Sequence, residues 1–292
     1  MEIFNEIKAS FKKGTYLTQL IYVNLAVFVF VNIISVLFFL IGQQNNASVI
    51  VEWLAVPADL SNLIFKPWTV ITYMFLHESF LHILFNMLWL FWFGKIFLQY
   101  LDQKQLLSVY LLGGIFGAIL FIVSYNLFPV LNADYAVALG ASASVMAVVF
   151  AISFYVPNYQ LALMFIGNVK LKYIAIFSIV LDVISIPSGN SGGHIAHIGG
   201  ALLGWYFITE YKKGKLITKG FEKILNSFFI LFKRSPKMKV SYKKTGNKDY
   251  DYKNSKVAEQ KEMDIILEKI SKSGYSSLSK DEKELLFRMG KK

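Results

Sequence analysis

ALGASASVMAVV, residues 138–149, reads as part of a membrane helix built from small residues. Gly140 and Ser144 stand four apart, and Ala147 and Ala151 continue the same face. Such a surface lets another helix backbone approach closely. A matching surface lies at 199–204, GGALLG, where Gly200 and Gly204 form a G-x-x-x-G with Gly199 beside them. Two helices able to pack this tightly imply a helical bundle with a close central pair. The stretch also carries two serines, and a serine in a membrane helix ordinarily hydrogen-bonds its own backbone as a packing residue.

Composition supports the membrane setting. The 292 residues are 55% hydrophobic and include 26 phenylalanines, too apolar for an ordinary soluble domain. Cysteine is absent, which excludes disulfides, thiolate metal sites and a catalytic thiol. The first apolar run lacks a small-residue cleavage site and reads as a retained helix rather than a removed signal peptide. Runs near the roughly 20 residues needed to cross a bilayer give six expected spans, at about 17–41, 80–100, 105–128, 136–156, 170–186 and 194–211. The fold class is therefore an all-α polytopic membrane protein. Residues 42–79, with Trp53, Pro57, Phe65, Pro67 and Trp68, read as a structured loop partly embedded at the interface. Residues 159–168 read as an interfacial connection.

Charge sets an expected orientation. Lys8, Lys12, Lys13, Lys95, Lys104, Lys170 and Lys172 fall on one side of the six spans, whereas Glu52, Asp59, Glu78, Asp134 and Asp182 face Lys66 on the other. The positive-inside rule then puts both termini in the cytoplasm. Residues 1–211 hold 8 Lys/Arg and 9 Asp/Glu, so the net charge of +11 arises entirely in the tail. The tail divides into an amphipathic interfacial helix at 212–234, a basic disordered linker at 235–256, and a small helical element at 257–292 with a capping box at Ser279 and Glu282. Residues 1–16 form a cytoplasmic N-terminal segment. Anionic lipid headgroups suit a juxtamembrane basic segment, and no nucleic-acid partner is expected.

Polar groups are costly inside a bilayer and ask for a role. The second, fourth and sixth spans start from the same side and carry, within about two turns, His82 and Asn86, then Ser142, then His194 and His197. Imidazole, carboxamide and hydroxyl groups thus converge at one depth. His82 and Asn86 are four apart and share one helix face.

Three stretches together resemble the rhomboid family of intramembrane serine proteases: HESFLHILFN (77–86), GAS (140–142) and AHIGGALLG (196–204). The resemblance covers roughly residues 15–211 and implies a six-helix rhomboid bundle with a structured loop between helices one and two, in the 17–211 domain. It makes Ser142 the nucleophile and His197 its general base. His82 and Asn86, with the backbone N–H of Ser142, become the oxyanion donors, and His77, Gly140, Gly200 and Gly204 serve structure near the site. Ser144 is set aside because the G-x-S frame selects Ser142, and two residues turn a helix by about 200°. His194 is set aside because the A-H-x-x-G frame selects His197. The resemblance implies substrates that are transmembrane proteins and a bacterial cytoplasmic (inner) membrane protein with a C-terminal extension. With the lysine orientation the extension is cytoplasmic and the site opens outward, and no cofactor and no metal are expected. The loop 186–193, IPSGNSGG, is expected to act as a lid.

Asp182 lies near the end of the fifth span and is expected not to orient His197, which gives a Ser–His dyad rather than a triad. Two departures from the family pattern stand out. Ala143 follows the nucleophile where glycine is frequent, with a methyl expected to tighten the oxyanion region. Trp68-Thr69 replaces a Trp-Arg pair, which bears on loop anchoring. The alternative function is a catalytically inactive rhomboid-like protein that binds membrane clients. A transporter would distribute its polar groups through the membrane depth rather than cluster them.

Overall fold

A computed structural model describes residues 2–43, 47–163, 166–232 and 248–289. The chain forms two compact units, residues 1–233 and 234–292.

The first unit begins with amphipathic α1 (Glu2–Lys13) and α2 (Tyr16–Leu40), the latter capped by the Thr15 hydroxyl. The connection to the next long helix is structured, as expected. It comprises α3 (Ala47–Leu54), β1 (Val56–Pro57), α4 (Leu60–Phe65), α5 (Thr69–Thr72) and a 3-10 turn at Tyr73–Phe75. Then come α6 (Phe80–Tyr100), capped by Ser79, and α7 (Gln103–Leu127), whose Asp102 and Gln105 form a capping box. After β2 (Val137–Ala138) the chain enters α8 (Ser142–Tyr155), the hairpin β3 (Gln160–Leu163) and β4 (Gly167–Lys170), α9 (Leu171–Ser185) and α10 (Ser191–Lys212). Residues 159–168, expected as an interfacial connection, are thus mostly an antiparallel hairpin.

Among the described residues, four helices are long and apolar enough to cross a membrane: Tyr16–Leu40, Phe80–Tyr100, Gln103–Leu127 and Leu171–Ser188. The expected count of six rests on the remaining pair, α8 and α10. At 14 residues, α8 spans only about 21 Å, short of a hydrocarbon core of about 30 Å. Its shortness has a structural counterpart, because every residue from Ala143 to Ser153 is buried. A helix apolar all round belongs inside, and α6, α7, α9 and α10 surround this one. By contrast α2 buries only Leu17, Leu20, Asn24 and Val31, and α9 only Leu171, Ala175 and Asp182. Their remaining apolar side chains suit lipid.

The fourth span was expected from residue 136, but the helix starts at Ser142. Val137 and Ala138 instead pair antiparallel with Pro57 and Val56, and Gly140 takes φ +127°, a left-handed conformation that favours glycine. Its N–H donates to the Tyr73 carbonyl at 2.9 Å. Gly140 therefore precedes the helix and does not share a helical face with Ser144. The residues that meet α10 are Ala143 and Ala147. A Cβ on Gly200 would fall 1.9 Å from the Ala143 carbonyl oxygen, and one on Gly204 would fall 2.1 Å from that of Ala147. Ser144 turns toward α7 and the 3-10 turn, its Oγ 3.7 Å from Met74 Sδ and against Gly114.

The loop between α2 and α6 is anchored without the arginine of the family pattern. Trp68 Nε1 donates to the Trp53 carbonyl at 2.8 Å, the two indoles stack at 5.7 Å, and Thr69 Oγ1 donates to the Lys66 carbonyl at 2.6 Å. Asn126 of α7 donates to the Ala58 carbonyl at 2.8 Å.

After α10, α11 (Lys219–Phe232) forms within the stretch expected to be amphipathic, and it packs against α7. The second unit holds α12 (Lys248–Ser273) and α13 (Lys280–Met289). Ile266 and Leu278 are buried there. Ser279 and Glu282 make the expected reciprocal cap, at 3.2 and 2.7 Å. The linker expected to be disordered to residue 256 is helical from Lys248. Once packing has nucleated a helix, extending it by polar residues costs little. Residues 235–247 of that expectation lie outside the described residues.

The α8–α10 contact gives a direct test. Gly200→Ala must displace backbone and is expected to destabilise by about 1–3 kcal/mol or more, read as a lower melting temperature in detergent. Gly220→Ala, where a Cβ meets nothing within 4 Å, should leave it unchanged or slightly higher.

Candidate active site

Ser142 is the first residue of α8, and no side chain caps that helix. The first bond into the helix runs from Val145 N–H to the Ala141 carbonyl at 2.9 Å, so the N–H groups of Ser142 and Ala143 have no acceptor among the described residues. Uncapped N–H groups at a helix start, reinforced by the helix dipole, favour negative charge. A cavity of about 500 Å³ opens beside them, lined by His82, Asn86, Ser142 and His197 together with Leu81, Phe85, Trp89 and Met146.

Each side chain is held by its own element. Asn86, buried on α6, donates through Nδ2 to the His82 carbonyl one turn back, at 3.0 Å. The His82 ring lies against Gly140, where a Cβ would stand 2.9 Å from its Nε2 and 3.5 Å from Ser142 Oγ. Only a glycine lets imidazole and hydroxyl share that space. His197 sits on the second turn of α10, whose start is capped by the Asn190 side chain, which accepts from Gly193 N–H at 3.2 Å. Ser142 and His197 are not hydrogen-bonded to each other among the described residues, although both line the cavity.

Asp182 corrects an expectation. Its Oδ1 lies 2.8 Å from His197 Nδ1 and 2.8 Å from His194 Nδ1. Asp182 is one of three buried residues on α9, so the carboxylate faces inward on an otherwise peripheral helix. The connection at 186–193 brings it there: a 3-10 turn at Ile186–Ser188 is joined to α10 by Gly189 and Asn190 alone, and Ser191 Oγ donates back to the Ile186 carbonyl at 2.6 Å. Most of the stretch expected to be a glycine-rich lid is thus ordered turn and helix start.

A family model described as Rhomboid domain matches residues 65–212, half of the chain. The chain belongs to the rhomboid family. Residues 247–292 match a second model, described as a family of unknown function (DUF6576). Presenilin-associated rhomboid-like protein, mitochondrial, from Bos taurus is 33% identical over 171 residues, which is 56% of this chain and 42% of that protein. RHOMBOID-like protein 12, mitochondrial, from Arabidopsis thaliana is 29% identical over 158 residues, 50% of this chain and 47% of that one. The Mus musculus presenilin-associated protein is 34% identical over 143 residues, 46% and 36% respectively. The chain thus spans less than half the length of the curated relatives it matches. These relatives are mitochondrial by name and give no support to the bacterial inner membrane expected above.

Within the rhomboid domain, two further residues find their place. The Ala143 methyl does not line the cavity. It packs on α7 at Gly117, where an added Cβ would approach it to 2.6 Å, so it fills the helix interface rather than the oxyanion region. His77, in the loop before α6, is buried, and its ring meets that of His82 edge-on at 5.1 Å.

Burial, reinforced by the neighbouring His82, pushes the His77 pKa from 6.5 down to about 4. Above pH of about 6.5 the ring is neutral in both folded and unfolded chains, and its stabilising contribution is complete. As the pH falls from about 6.5 toward about 4, only the unfolded chain takes up the proton, and that contribution is lost. The melting temperature of His77→Phe should therefore fall less steeply over this window than that of the wild type.

Proposed function

We propose that this rhomboid protein is an intramembrane serine endopeptidase that hydrolyses peptide bonds in or near transmembrane segments of other membrane proteins. The observation that carries the reading is the shared cavity at the uncapped start of α8. Ser142, His197, His82 and Asn86 all open on it, and His197 Nδ1 is held by Asp182.

In this reading His197 keeps its proton on Nδ1, where it is hydrogen-bonded to Asp182, and this leaves the Nε2 lone pair for Ser142. The serine proton moves to Nε2 as Oγ bonds to the scissile carbonyl carbon. The resulting oxyanion is met by the free N–H groups at the start of α8, by the second N–H of Asn86 and by His82. The tetrahedral species collapses, the leaving amine takes the proton from His197, and water repeats the sequence on the acyl-enzyme. Asp182 makes a triad the better description than the dyad expected from sequence. A substrate helix hides its carbonyls in i→i−4 bonds, so it must unwind locally to present one, and small or helix-weakening residues near the cut are expected.

The lysine distribution supports an orientation with both termini on the side of Lys95, Lys104, Lys170 and Lys172. Basic residues of the tail suit anionic lipid headgroups on that side.

The test is cleavage of a single-span substrate by the full-length protein in lipid vesicles, with product masses measured. Ser142→Ala and His197→Ala should fall to background, and Asn86→Ala should lose about 100-fold or more in kcat. Asp182→Asn is expected to lower kcat by on the order of 100-fold or more, with less effect on KM. A fluorophosphonate probe should label the wild type and not Ser142→Ala. Absence of labelling in lipid would favour the inactive client-binding alternative.

A further inference from the structure

His194 has no part in the proposed hydrolysis, yet its Nδ1 reaches the same carboxylate oxygen as that of the base. His194 and His197 are three residues apart at the start of α10, on one helix face. Asp182 meets them from α9, and the three ligand atoms lie within 4.8 Å of one another. Each side chain keeps some contact with solvent, at 24%, 22% and 10% exposure for His194, His197 and Asp182.

We propose that Asp182, His194 and His197 form an inhibitory site for a divalent transition-metal ion of the zinc class. Two imidazole nitrogens and one carboxylate oxygen suit zinc, with a fourth position open to water. The same donors discriminate against magnesium and calcium, which take oxygen ligands. Tetrahedral zinc holds its nitrogen and oxygen ligands about 3.3 Å apart. The present Oδ1–Nδ1 separations are both 2.8 Å and the whole donor set lies within 4.8 Å, so binding asks the carboxylate to withdraw by about 0.5 Å and the two imidazoles to adjust around the ion.

Inhibition follows from the tautomer and rests on the protease reading above. A base at Nε2 requires the proton on Nδ1. A metal bound through the Nδ1 lone pair puts that proton on Nε2, which then faces Ser142 as a donor and cannot accept. It also takes Asp182 away from its orienting bond. Metal occupancy and general-base function therefore exclude one another at a single ring nitrogen.

The full-length protein in detergent, stripped of metal by chelation, is titrated with Co²⁺, and visible absorption reports four-coordinate binding. In parallel, fluorophosphonate labelling of Ser142 is followed against Zn²⁺ concentration and after chelator addition. The wild type should gain Co²⁺ absorption that Zn²⁺ displaces, and Zn²⁺ should slow labelling at least about tenfold, reversibly. His194→Ala, normalised to its own metal-free rate, should need at least about tenfold more Zn²⁺ and lose the Co²⁺ signal. No Co²⁺ signal in the wild type, or equal Zn²⁺ sensitivity in His194→Ala, overturns the proposal. A His194-dependent Co²⁺ signal in a protein that never labels leaves the metal site standing and removes the protease reading, so the two failures are distinct.

Discussion

The fold depends on a contact in which side chains are almost absent. Gly200 and Gly204 of α10 rest on the carbonyl oxygens of Ala143 and Ala147 in α8, at separations that leave no room for a Cβ. Gly113 and Gly117 bring α7 equally close from another direction, onto the methyls of Ala147 and Ala143. Helices in lipid gain nothing from burying apolar surface against each other, so close van der Waals packing must hold them. Here that packing has a further effect. It fixes the distance between the helix that bears Ser142 and the helix that bears His197, so the glycines that hold the bundle also set the spacing of these two side chains.

Around this centre, polar groups are placed by backbone geometry. The hydroxyl of Ser142 lies at a helix start because Gly140 breaks the chain direction just before it. Asn86 is turned by a bond to its own helix. Asp182 is the exception: it comes from a helix that otherwise faces outward, and it bonds two histidines through one oxygen. An inward carboxylate on such a helix is costly unless paired, and the two imidazole N–H groups supply the pairing.

Much of this was legible in the sequence, for identifiable reasons. The long apolar runs matched the helix bounds to within a few residues except at the start of the fourth, and 80–100 coincides with α6, because apolar length is a one-dimensional signal. The residues His82, Asn86, Ser142 and His197 were legible through a motif whose spacing the fold converts into one cavity. The start of α8 was not, because Val137 and Ala138 are as apolar as a helix would have them, and their extended state is decided by pairing with Val56 and Pro57. Asp182 was missed because fifteen residues of sequence separation become 2.8 Å only through the tight turn at 186–190. The facing of Ala143 toward Gly117 likewise depends on a neighbouring helix that no local pattern names.

The short pairing of β1 with β2 has a consequence for how the chain tolerates changes of length. Residues 128–132 run largely exposed, so insertions there lengthen a surface connection and leave the pairing intact, whereas Ala136 already accepts from Ala58 N–H at 2.9 Å. Between Ala138 and Ser142 the chain has no slack. A single added residue would either shift the strand by one, turning its faces over, or move Gly140 away from His82. The first part of the loop after α7 is thus free to vary in length, while the few residues before α8 form a ruler between the sheet pair and Ser142.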